Sequence, residues 1–334
     1  MRNLKIILGT IAMIGILASI PVVVAAETTL RMATTAPMGS AWYRLFKKMA
    51  REVSEKTGGQ VKLKIYGDGL QGTQKKVVTK LKSGKLDAAV LTSEGVREIM
   101  KEVMVLQLPL LFASAKELDF VRGKLTDELE KKLLAKGFKL LSWGDAGFGY
   151  LVSKAPITTP AGLKGLTVWI EPGDSVTKKL VELGGGTPKE MPMAGVLNGL
   201  KDGPLQALVA TPLMVVGLQW YTQVKSLAVL PLSAGVGAAV ISKASWDKLT
   251  AEQQKVVADV YQRWNLKLRA KVLSDNRKSL ALLKENGISV TTPAKSAFQS
   301  LCNDTTRALS GSLFPASLLA RVKQLLVDYR AGKH

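Results

Sequence analysis

Short apolar runs alternate with amphipathic stretches along most of this chain, and the alternation occurs in two successive sets. Repeated switching between strand-like and helix-like runs predicts a mostly parallel sheet covered by helices. In the first set, TLRMA (29–33) predicts a strand. From Ser40 a helix follows, with Trp42, Leu45, Phe46, Met49 and Val53 on one face until Gly58 and Gly59 stop it. VKLKIY alternates as a half-buried strand, GDGLQG is a glycine loop, and KKVVTKLKSGK is a second helix. LDAAVLT is a buried strand that opens onto Ser93. LPLLFAS bends at Pro109, a helix runs from about Ala115 to Lys136, and FKLLSWGDAG is a strand and turn before GYLVS.

The second set repeats the order. LTVWI is a strand, SVTKKLVELG a helix and PKEMPM a return strand; GVLNGLKDG is a helix, LQALVAT a strand and PLMVVGLQWYTQV a helix. From Ser245 to Asn286 the pattern is almost wholly helical, with Thr250 and Gln253 spaced as a capping box. Such a helix in an α/β chain is most simply a strut. ISVTTP is a short strand, and two helices fill 294–330. The economical fold is two α/β lobes joined by crossing strands. One lobe spans about 27–150 and the other about 151–240; the strut and the C-terminal helices (241–334) pack on both.

The first 26 residues read as an address. Arg2 and Lys5 precede an uncharged apolar run from Ile6 to Val24, and Val-Ala-Ala suits cleavage after Ala26. An exported chain is therefore expected. Its single cysteine, Cys302, excludes an internal disulfide, and its single histidine, His334, is the last residue. That leaves no Ser-His-Asp site, no Cys-His site and no histidine-rich metal site. The formal charge of +21 is scattered as KK, KxK and KxxK on amphipathic segments. It shows no aromatic-interleaved nucleic-acid patch, so a solvated basic surface is expected, with weak attraction to an anionic membrane surface.

No nucleotide, zincin or nucleophile-elbow motif occurs, and no cofactor is implied. Asp145 and Asp174 could act as an acid–base pair, but any fold carries such carboxylates, and the chain is not read as an enzyme. Aromatic residues at strand ends carry more information. Trp42 follows the first strand, Phe148 and Tyr150 follow the strand through Trp143, and Trp220 lies farther on. In LTVWIEPGDS, Trp169 is followed by Glu171, a Pro-Gly turn and Asp174, at a strand mouth of the kind that binds ligands in α/β folds. Trp246 and Trp264 read as core.

Several segments together resemble a substrate-binding protein of the DctP-like tripartite ATP-independent periplasmic (TRAP) transporters. They are LRMATTAPMGSAW, VKLKIYGDGLQG, LKSGKLDAAVLT, LPLLF, WGDAGFGYLVSKAPITTPAGLKGLTVW and GVLNGLKDGPLQALVATP. The resemblance implies the two-lobed periplasmic binding protein fold, with strands crossing between lobes and a long helix spanning both. It also implies a ligand captured by hinge closure and delivered to membrane permease subunits driven by an ion gradient.

Carboxylate-binding members usually carry an arginine where this chain has Trp169, and a second in the segment that reads Gly147-Phe148-Gly149 here. Gln206 stands for the usual aspartate, and Ala210-Thr211-Pro212 for the segment with an asparagine. The resemblance thus implies a branch without the carboxylate clamp. The expected ligand is apolar, amphiphilic or cationic, set against Trp169, Phe148, Tyr150, Trp220 and Trp42, with Glu171, Asp174, Thr211 and Ser93 as polar groups. A periplasmic sensor or a carrier of lipid-like molecules is the alternative role. The long helix leaves both intramolecular packing and a dimer contact open.

Overall fold

The computed structural model describes residues 27–333; the expected signal segment and His334 lie outside them. In chain order the elements begin β1 (Thr28–Ala33), α1 (Ala41–Lys56), β2 (Val61–Tyr66), α2 (Gln74–Lys82), β3 (Ala88–Leu91), α3 (Ser93–Ile99), α4 (Ala115–Ala135) and β4 (Phe138–Ser153). The second half holds β5 (Thr167–Ile170), α5 (Ser175–Leu183), β6 (Thr187–Glu190), α6 (Val196–Lys201), β7 (Ala207–Ala210), α7 (Pro212–Gly217) and β8 (Ser226–Ser242). Last come α8 (Lys243–Trp246), α9 (Ala251–Glu285), β9 (Ser289–Thr291), α10 (Lys295–Leu309) and α11 (Ala316–Arg330).

The strands form one continuous ladder in the order β2-β1-β3-β8-β4-β7-β5-β6, with β9 added to β8. Two long antiparallel strands, β4 and β8, make it continuous. The C-terminal part of β8 pairs with β3 in lobe I, whereas its first residues pair with β9. The last four residues of β4 pair with β7 in lobe II. Each lobe keeps its own parallel pairs: β1 with β2 and β3, and β5 with β6 and β7.

Glycine makes the passage between lobes thin. Gly144 pairs with Gly237 and Gly147 with Gly235, and three register shifts break β4 along its length. A Cβ at Gly235 would lie 2.7 Å from the Ala146 Cβ, and one at Gly237 would collide with the Leu91 carbonyl oxygen. Only residues without a side chain let the strands approach this closely.

Three of the expected segments differ in the structure. The strand and turn expected at 138–147 and the GYLVS run are one 16-residue strand. The expected helix from Pro212 ends at Gly217, and a single 3₁₀ turn at Trp220–Thr222 follows. The long helical run divides at Asp247–Thr250: Ser242 caps the short α8, and the Thr250–Gln253 capping box starts α9 afresh. At 35 residues, α9 extends about 50 Å. It packs on α1, β4 and α7, so it braces both lobes.

Candidate functional site

The parallel strands β3 and β5 end towards each other across the lobes, as ligand-binding strands do in open α/β sheets. After β3 the chain turns directly into α3, bringing Glu94 and Arg97. After β5 it makes the Pro172-Gly173 turn and starts α5. Asp174 caps α5: its Oδ1 accepts hydrogen bonds from the Val176 and Thr177 amides at 3.1 and 2.9 Å. Gly173 has φ +96°, a conformation that glycine adopts without strain.

These two turns touch. A Cβ at Gly173 would lie 2.9 Å from Arg97 Nη2 and 3.3 Å from Glu94 Oε2. Arg97 already donates to Glu94 Oε2 at 3.2 Å and to Glu98 Oε1 at 2.9 Å. Glu94 of one lobe and Asp174 of the other are therefore both drawn to one committed guanidinium, with Glu171 adding its repulsion to Glu94. Burial, followed by repulsion from Asp174 and Glu171, pushes the Glu94 carboxyl up to about 9 against the pull of Arg97. Burial and then Asp174 raise Glu171 to about 7. Burial also raises Asp174, opposed by its cap hydrogen bonds and by Arg97. An interface of this kind favours protons or positive charge and resists a further anion.

The other expected site residues fall into separate groups. Trp169 is 3% exposed and Trp220 1%. Their rings meet edge to face at 5.3 Å, and the Trp169 indole N–H donates to the Met191 carbonyl at 2.8 Å. Both rings belong to the lobe II core, with Leu208, Val215 and Leu227. Trp42 packs on the lobe I core from α1. Thr211 caps α7, its hydroxyl accepting from the Met214 amide at 3.2 Å. Ser93 is buried, and its hydroxyl accepts from Gln107 Nε2. Phe148 and Tyr150 face a cavity beside α9. Only Glu171 and Asp174 sit at the contact between lobes.

Asp145 and Asp174 do not act as a pair: Asp174 caps α5, and Asp145 lies among arginines. Asp145 receives Arg122 at 2.5 and 3.0 Å and Arg269 at 2.5 Å, which locks it as a structural hub. The interlobe contact instead draws on Glu94 and Arg97, which follow the expected site residue Ser93 on α3. Their signal is present in SEGVRE: acid and arginine, three residues apart, directly after a buried strand. Among the described residues no cluster of three or more acidic, histidine or cysteine side chains is arranged to hold a metal.

The model of the family described as bacterial extracellular solute-binding protein, family 7, matches residues 32–310. The 2,3-diketo-L-gulonate-binding periplasmic protein YiaO of Escherichia coli is 29% identical over 252 residues, 74% of this chain and 75% of its own length. The sialic acid-binding periplasmic protein SiaP of Vibrio cholerae is 22% identical over 279 residues, covering 82% and 86% of the two chains. In fold, the chain resembles a TRAP periplasmic solute-binding protein of Xanthobacter autotrophicus with bound β-D-galacturonate. That likeness has a TM-score of 0.82 at 21% identity, over 89% of this chain and 99% of the other. A TRAP protein of Desulfovibrio salexigens with bound orotic acid gives a TM-score of 0.77 at 19% identity, over 91% and 98%.

Proposed function

This chain belongs to bacterial extracellular solute-binding protein family 7, and we propose that it captures a small solute between its lobes and hands it to the membrane subunits of an ion-gradient-driven permease. The solute it takes is apolar, amphiphilic or cationic rather than a simple carboxylate. One observation carries this ligand class: the contact between lobes presents Glu94, Glu171 and Asp174 around an arginine already engaged by Glu94 and Glu98. A carboxylate clamp needs a guanidinium free to donate to both oxygens of the ligand. Here an added anion would enter beside acids that already repel one another strongly enough to be driven towards their protonated forms. Trp169, which stands where the clamp is expected, is committed to the Met191 carbonyl and the Trp220 ring.

A second reading, a sugar acid or another small organic acid, draws on the ligands named for the relatives. The two readings separate in one experiment. Native mass spectrometry of the purified protein reveals any co-purified solute, and titration with galacturonate and succinate measures acid binding directly. Submicromolar affinity for either acid overturns the apolar or cationic reading and leaves the receptor role standing. The apolar run at 6–24 supports export, with a mature chain beginning at Glu27. No helix among the described residues is long and apolar enough to cross a membrane.

A further inference from the structure

Along β4, strand alternation turns successive residues to opposite sides. The Cβ direction of Gly149 meets Val209 and Ser233. Its neighbours Phe148 and Tyr150 instead line a cavity of about 150 Å³, walled by Leu118 of α4, Pro212 of α7, and Leu273 and Leu280 of α9. None of Glu94, Arg97, Glu171, Gly173 or Asp174 lines it, so it is separate from the contact between lobes.

The polar groups around this cavity are unequal. Asp145 and Asp119 neutralise Arg269. The Asn276 amide is engaged: its oxygen accepts from the Leu213 amide, and its nitrogen donates to the Ala146 and Val272 carbonyls. Arg277, exposed at the cavity edge, has no carboxylate or hydrogen-bond partner among the described residues. The Tyr150 phenol is a neutral hydrogen-bond donor, and burial pushes its ionisation higher still. The result is an apolar wall with one uncompensated positive charge at its rim. An apolar cavity of about this volume accommodates a body the size of benzene.

We propose that this cavity is a second ligand site, for a small amphiphilic monoanion whose apolar body packs on Phe148, Leu118, Leu273 and Leu280 and whose head group pairs with Arg277. The site does not depend on which solute occupies the contact between lobes. Its walls come from α4 in lobe I, α7 in lobe II, both crossing strands and the strut α9. A bound amphiphile therefore adds contacts to whichever lobe arrangement forms this cavity, and it shifts the hinge equilibrium towards that arrangement.

The test is isothermal titration of the purified exported chain, at low ionic strength, with octanoate, 1-octanol and octylammonium. One saturable octanoate site is expected, with octylammonium binding more weakly. Arg277→Glu lies on an exposed helix face, and circular dichroism verifies that it stays folded. It is expected to weaken octanoate about tenfold, the value of one charge-assisted pair, and to reverse the preference towards octylammonium. Leu273→Asp is expected to weaken octanoate and 1-octanol together. Absence of saturable octanoate binding, or equal octanoate affinity in the wild type and Arg277→Glu, overturns the proposal.

Discussion

The Arg97 guanidinium of lobe I fills the space into which any side chain at Gly173 of lobe II would project: Nη2 lies 2.9 Å from the Cβ position. Closure of the lobes is thus gauged at one glycine. Gly173→Ala places a methyl group against Arg97 and also strains a residue at φ +96°. The clash exists only when the lobes are together, so the substitution favours the open form. Solute affinity is expected to fall about tenfold, the equivalent of about 1.4 kcal/mol in the closing equilibrium. Small-angle scattering of the loaded protein should report a more open particle, and an unchanged affinity and radius would refute the gauge.

Acid should favour closure. With the lobes together Glu94 and Glu171 stand at about 9 and about 7; parting the lobes takes Asp174 and Glu171 away from Glu94 and admits water, so both carboxyls are expected to fall towards the ordinary value. The closed state therefore binds more protons between those limits, and it gains stability as pH falls from about 9 towards 4.5, with nothing further gained below. Glu94→Gln removes the larger contribution. It should raise the closed fraction at pH 8, leave it unchanged near pH 4.5, and flatten the dependence between. Fluorescence transfer between dyes on the two lobes, followed across pH, measures this directly.

Asp145 holds two helices to the crossing strand, through Arg122 of α4 and Arg269 of α9. Arg122 is 3% exposed, so its charge has little access to water if the carboxylate is lost. Asp145→Asn is expected to cost about 3 kcal/mol in urea unfolding, because breaking a buried pair from one side leaves an uncompensated ion. Asp119 still reaches both arginines, which keeps the cost at the low end of that range. A loss below about 1 kcal/mol would show that Asp119 and water replace Asp145 fully.

Periodicity revealed those elements whose apolar pattern is unbroken. The bounds of α4 and the Thr250–Gln253 box follow from apolar spacing and cap chemistry, and both appear in the structure. The longest strand, β8, is obscured because Pro231, Gly235 and Gly237 break its alternation with residues that ordinarily signal turns. Its glycines are there for close approach to β4 and to the end of β3, a tertiary cause that local spacing does not express. The contact between lobes divides along the same line. Glu171 and Asp174 are legible from the turn that presents them, whereas Glu94 acquires its role only when the other lobe arrives.

Trp169 shows how a strand end misleads. It stands two residues before Glu171, which on a continuing strand would put both on one face. The strand stops at Ile170, however, and the turn sends Glu171 towards lobe I while the indole remains among Leu208, Val215 and Trp220. Trp169→Phe keeps most of the apolar volume but strands the Met191 carbonyl, and it should cost about 1–2 kcal/mol of stability. Trp169→Arg buries a charge without a partner and should lose about 3 kcal/mol or more, rather than create a carboxylate clamp. Urea unfolding paired with galacturonate titration separates the cases. A Trp169→Arg variant that keeps its stability and gains galacturonate binding would move this side chain out of the core and into the ligand site.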